Sequence, residues 1–74
     1  MIMAITKEQE QAVELIRQAM EHQMAQEFDQ AIRLYKKSIE VFPTADAHTY
    51  LGWAYSFKGR LNEAIKDWKK NGSY

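Results

Sequence analysis

The side chains of this sequence that could hold a metal or act on a substrate are few: two histidines, three serines and ten carboxylates, with no cysteine. His22 and His48 stand 26 residues apart, and neither shows the helical His–carboxylate spacing of a metal site, so no metal and no cofactor is expected. A serine nucleophile needs a base and a group that orients the base. Ser38, Ser56 and Ser73 have no evident set of that kind, and the carboxylates are scattered over helix faces, so the pattern is that of a protein that is not an enzyme. Apolar contact is the chemistry left over. Met20, Met24, Trp53 and Phe57 recur at helical spacing, and such stripes usually pack into a core or against another protomer. Methionine also adapts to varied apolar shapes and tryptophan is enriched at binding hot spots, so the same stripe suits an amphipathic helix or apolar peptide of a partner.

Composition narrows the class. Hydrophobic residues make up 46% and charged residues 27% of 74 positions, which matches a folded soluble chain with a thin core. Lysine plus arginine and aspartate plus glutamate number 10 each, so charge points neither to nucleic acid nor to an anionic membrane. The lack of cysteine fits a reducing compartment, and a cytoplasmic location is the expectation. Met1 to Ile5 is apolar for too few residues to form a secretory core or a membrane span, and it reads as a frayed lead-in.

The elements that must carry these residues are helical, because the apolar spacing between one proline and three glycines has a period near 3.6. Thr6 and Gln9 form a capping-box pattern ahead of Val13, Ile16, Ala19 and Met20, a first helix reaching about Met24. A second begins near Phe28, with Asp29 in its first turn and Phe28, Ala31, Ile32, Tyr35 and Ile39 on its core face. Pro43 stops it by removing an amide and disfavouring helical geometry at Phe42. Thr44 can cap a third helix bearing Ala47, Tyr50, Leu51, Ala54 and Tyr55, which Gly59 is expected to close. Leu61, Ala64, Ile65 and Trp68 then form a fourth, ended by Asn71-Gly72. The reading is therefore all-α, four helices in two antiparallel helix–turn–helix hairpins, none longer than about 18 residues. Lys36-Lys37 and Lys69-Lys70 fall near the ends of the second and fourth helices, where cations favour the negative end of the dipole.

Shifting the chain by 33 residues superposes Phe28-Asp29-Gln30-Ala31-Ile32-Arg33 on Leu61-Asn62-Glu63-Ala64-Ile65-Lys66, and Tyr35-Lys36-Lys37 on Trp68-Lys69-Lys70. Ala19 likewise pairs with Gly52, Met20 with Trp53, His22 with Tyr55 and Met24 with Phe57. The second unit reads His48-x2-Leu51-Gly52-x2-Tyr55, Gly59, Ala64-x3-Trp68. It resembles a tetratricopeptide (TPR) unit of about 34 residues, W-x2-L-G-x2-Y followed by A-x3-F and proline. The first keeps Ala31-x3-Tyr35 and Pro43 but has Leu15, Gln18, Ala19 and His22 at the earlier signature slots. One domain spans residues 1–74, with repeats at about 12–43 and 45–71.

The TPR resemblance implies a short right-handed solenoid whose first helices line a concave groove for a partner segment. Slot by slot, that groove is Val13, Ile16, Met20, Gln23 and Met24 with Thr49, Trp53, Ser56 and Phe57. TPR domains that grip acidic C-terminal tails of chaperones place lysine, arginine and asparagine in those slots, whereas here Arg17 is the one basic residue in or beside them. A protein or peptide partner with an apolar face is the implied ligand. Solenoids normally need about three repeats, and Leu51, Tyr55, Ile65 and Trp68 face the place of a third, so a homodimer through this end or through the groove is the alternative expectation. Val13 to Val41 also resembles the first hairpin of microtubule-interacting-and-transport domains, which bind short helical tails, but Leu51-Gly52, Tyr55 and Gly59 favour the TPR likeness.

Overall fold

A computed structural model describes residues 5–70 of the chain, apart from the side chains of residues 64 and 66–70. Three helices follow one another: α1 (Lys7–Met24), α2 (Phe28–Val41) and α3 (Ala45–Lys70). The all-α expectation holds among the described residues, and four helices become three because α3 runs on through Gly59.

Each start and stop has a local cause. The Thr6 hydroxyl accepts the Gln9 amide at 3.1 Å while the Gln9 side chain accepts the Thr6 amide at 2.9 Å, a complete capping box. Thr44 Oγ1 accepts the Ala47 amide at 3.1 Å and opens α3. At the end of α2, Phe42 before Pro43 is extended, with φ −158° and ψ 103°. Gly59 has no such consequence. A glycine inside a helix costs about 1 kcal/mol against alanine, no proline follows it, and Arg60 to Ala64 are tolerant of helix, so the helix continues. The Asn71-Gly72 terminus expected from the sequence lies outside the described residues.

Packing is sequential. α2 lies against both neighbours, and Ala19, Ala31, Ile32, Tyr35 and Ala54 form the buried cluster that joins the three helices, with Ile16, Leu34, Tyr50 and Leu51 against its edge. Small residues set the approach: Ala12, Ala19, Ala31, Ala47 and Ala54 are all essentially inaccessible. Ser38 is buried as well, and its hydroxyl donates to the Ala12 carbonyl oxygen at 2.8 Å, tying α2 to the first half of α1. Gly52 differs from its counterpart Ala19: it is exposed, and a Cβ placed there meets nothing within 4 Å. Close packing of a fourth helix at Gly52 is thus replaced by open space, because the segment that was to return over it continues away along the axis of α3.

Phe28, the first residue of α2, stacks on Phe57, and Asp29 pairs with Lys58 at 2.6 Å. Residues 59–70 consequently project past α2, a run of about 18 Å at helical rise. The molecule measures 61 × 20 × 17 Å and has a radius of gyration of 15.9 Å. A compact chain of this length would have about 11 Å.

Gly59→Ala tests the uninterrupted helix. With nothing near the added methyl and a helical backbone, unfolding free energy should rise by about 0.5–1 kcal/mol in urea denaturation. A loss of stability would mean that Gly59 needs the left-handed conformation of a turn.

Candidate functional site

A cleft of about 360 Å³ opens among the described residues. Met20, Gln23 and Met24 of α1 form one wall, Tyr50, Trp53 and Phe57 of α3 the other, and Phe28 and Tyr35 of α2 the floor, with Gln26 at the connection. Spacing explains both walls. Positions 20, 23 and 24 lie within one turn on α1, and 50, 53 and 57 follow three- and four-residue steps on α3, so each set shares a helix face.

Aromatic packing orders the interior. Tyr50 stacks on Tyr35 with centroids 5.9 Å apart and meets Trp53 edge-on at 5.7 Å, while Phe57 stacks on Phe28 at 6.1 Å. Tyr35 is the largest fully buried side chain, and its hydroxyl donates to Gln23 Oε1 at 2.8 Å. Burial disfavours its phenolate, and neighbouring Tyr50 acts in the same direction, so its pKa is raised. The neutral donor form is kept, and Gln23 is held in place on the cleft wall.

Charge stays at the margins. Arg17 is bound by Glu14 and Glu21 on its own helix, which fixes it along α1. Glu14 is held well below the usual carboxylate range, first by its hydrogen bond to Arg17 and then by Gln18. Lys58 hydrogen-bonds Asp29 and lowers its pKa. Arg60 lies over the Phe57 ring at 5.7 Å from its centroid.

Of the residues that the sequence assigned to a groove, the structure brings Met20, Gln23, Met24, Trp53 and Phe57 together. Val13, 63% exposed, Thr49 and Ser56 point to solvent away from the cleft, and Ile16 packs against the core instead. Val13 lies two turns before Met20 on α1, and the α1 residues on the cleft begin only at Met20. Phe28 and Tyr35, expected on the core face of α2, line the cleft as well, together with Tyr50 of α3 and Gln26, neither of which was expected in the groove. The signal for the tyrosines was their polar tip, which a buried ring directs toward a partner or a wet edge. Leu51 packs against the core, Tyr55 is half exposed beneath Lys36, Ile65 is 46% exposed, and the side chain of Trp68 lies outside the described residues.

Among the described residues no three histidines or carboxylates approach closely enough to hold a metal ion. No helix there is long and apolar enough to cross a membrane. His22 Nδ1 and Glu27 Oε1 lie 2.7 Å apart across the α1–α2 connection, so this histidine has a local partner.

The connection itself is strained. Glu27 donates its amide to the His22 carbonyl oxygen at 2.8 Å and Gln26 to that of Gln23 at 3.0 Å, a Schellman motif with Gln26 at φ 63°. Glycine is the favoured residue there, and a left-handed non-glycine costs about 1–2 kcal/mol. Gln26 nevertheless stands at this position, among the residues that line the cleft. Gln26→Gly should therefore stabilise the fold by about 1 kcal/mol in chemical denaturation; a destabilised variant would show that contacts of the side chain outweigh the strain. Comparison of the chain with protein-family models, with curated proteins and with solved structures gave no match, so its cleft is the ground on which function is argued.

Proposed function

We propose that this chain is a non-enzymatic, cytoplasmic protein–protein interaction module whose cleft binds an amphipathic helix or apolar peptide of another protein. The observation that carries the reading is exposure at the cleft walls: Trp53 is 54%, Met24 84%, Met20 40% and Phe57 38% exposed, side by side on one concavity. Large apolar side chains gathered in this way lose contact with water when an apolar surface covers them. Methionine tolerates varied shapes, and tryptophan supplies a broad anchor. The 33-residue internal repeat and the Leu51-Gly52-x2-Tyr55 and Ala31-x3-Tyr35 signatures support a TPR-like origin for this arrangement. In such a repeat the first helices, here α1 and α3, face the ligand.

Trp53 emission provides a readout once the second tryptophan is replaced. In a Trp68→Phe background, a saturable blue shift of Trp53 emission is expected on titration with an amphipathic helical peptide bearing leucines at i, i+3, i+4 and i+7. Trp53→Ala, followed by calorimetry, should weaken binding by about 2 kcal/mol, roughly thirtyfold, while Val13→Ala leaves it unchanged. Equal losses at both positions would remove the cleft from consideration.

Self-association is a second reading, favoured by the overhang of α3. Leu61 is 36% and Ile65 46% exposed on a helix that has outrun α2. Sedimentation across a concentration series should reveal a homodimer of the 8.7 kDa chain, and Ile65→Glu should return it to monomer. A monomer at every concentration would dismiss this reading and leave the cleft reading intact.

A further inference from the structure

The repeat unit that forms a closed hairpin in the first half of the chain is drawn out straight in the second. In the first, the chain reverses at Gln26, whose φ is 63°, and the amides of Gln26 and Glu27 donate to the carbonyl oxygens of Gln23 and His22. The 33-residue shift carries Gln26 onto Gly59. Glycine reaches that left-handed conformation without steric cost, and yet Gly59 lies inside α3 while glutamine makes the turn.

The surfaces follow the same shift. Ala12, Leu15 and Ala19 share the face of α1 that α2 covers, and the Ser38 hydroxyl donates to the Ala12 carbonyl oxygen across that contact. Their counterparts on α3, Ala45, His48 and Gly52, are all exposed. A Cβ at Gly52 meets nothing within 4 Å, and Gly52 lies about 200° round the helix from Ala54, which is buried in the cluster that joins the three helices. The bare face is therefore turned away from α2 and stands clear of the first hairpin. What the repeat brings to that face is the segment after Gly59, where Ala64 and Trp68 hold in the sequence the places of Ala31 and Tyr35.

We infer that Gly59 is a hinge: α3 exchanges between the straight helix and a closed form in which Gly59 turns left-handed, as Gln26 does, and residues 60–70 run back antiparallel over the face of Ala45, His48 and Gly52. Closing gives up the helical hydrogen bonds that cross Gly59 and covers apolar surface in return. His48 and Gly52 offer less of that surface than Leu15 and Ala19 do, which is why the second hairpin opens where the first stays shut. Trp53 and Phe57 lie about 100° and 140° round α3 from Gly52, so the cleft faces another way and survives in either form. The hinge changes the length of the molecule and leaves its candidate site in place.

The chain has no cysteine, so spin labels placed through Asp46→Cys and Lys69→Cys report the two forms by double electron–electron resonance. The counterparts of these positions in the first hairpin, Val13 and Lys36, are exposed, so neither label enters the contact. In straight α3 the two positions are about 34 Å apart at helical rise; in the closed form, on helices about 8–10 Å apart, they come within about 20 Å. Two populations are expected in the otherwise unaltered chain, and Gly59→Ala, which penalises the left-handed turn, should cut the short one about fivefold or more. Gly52→Leu, which meets nothing in the straight form, should cut it as well by blocking the close approach of the returning segment. A single distance near 34 Å would overturn the hinge, and a short population indifferent to both substitutions would overturn its place at Gly59 and the Gly52 face. A short distance that disappears on dilution with unlabelled chain would arise between molecules, and would overturn closure within one chain in favour of a second copy on the same face.

Discussion

Burial of a single tyrosine ring holds this molecule together. Tyr35 projects from the middle helix with no accessible surface, bonds Gln23 of α1 through its hydroxyl and stacks on Tyr50 of α3. In a chain so short the core is thin, and stability of about 0.05–0.15 kcal/mol per residue leaves no reserve for a lost centre. Removing a buried aromatic side chain costs about 3–5 kcal/mol, which is of the same order as the whole. The alanines at 19, 31 and 54 contribute by absence of bulk: they allow three helices to close around one large ring.

The same ring shapes the surface. Because Tyr35 fills the centre from below, the flanking apolar residues of α1 and α3 cannot also fold inward, and Met20, Met24, Trp53 and Phe57 remain at the walls of an open cleft. The left-handed Gln26 maintains the angle at which α1 gives way to α2. Asp29 and Lys58 add an exposed ion pair that contributes little energy but fixes the level at which α2 meets α3. Core and candidate site are therefore two faces of one packing arrangement.

Much of this was legible from residue order. The Thr6–Gln9 box, the Thr44 cap and the Pro43 stop follow from rules of local hydrogen bonding, which a sequence displays directly. Gly59 misled for a physical reason: glycine permits a turn without compelling one, and whether a helix breaks there depends on how much apolar face the returning segment can bury. A local pattern does not contain that quantity. The groove was partly legible on similar grounds. Helical spacing gathered Met20, Met24, Trp53 and Phe57, but the point at which Val13 and Thr49 leave the cleft depends on interhelical angles that spacing alone does not set. Arg60 was hidden by the same misplaced helix end, since its position over Phe57 exists only if α3 is continuous.

If the buried Tyr35 of α2 holds α1 and α3 together, the cleft exists only while that ring is in place. Amide hydrogen exchange of Tyr35→Ala beside the unaltered chain tests it most directly. Protection in α1, around Ala12 to Ala19, and in α3, around Ala47 to Ala54, should fall together with that of α2. Protection retained in α1 or α3 while α2 alone exchanges would contradict it and show that the helices are held by something other than this ring.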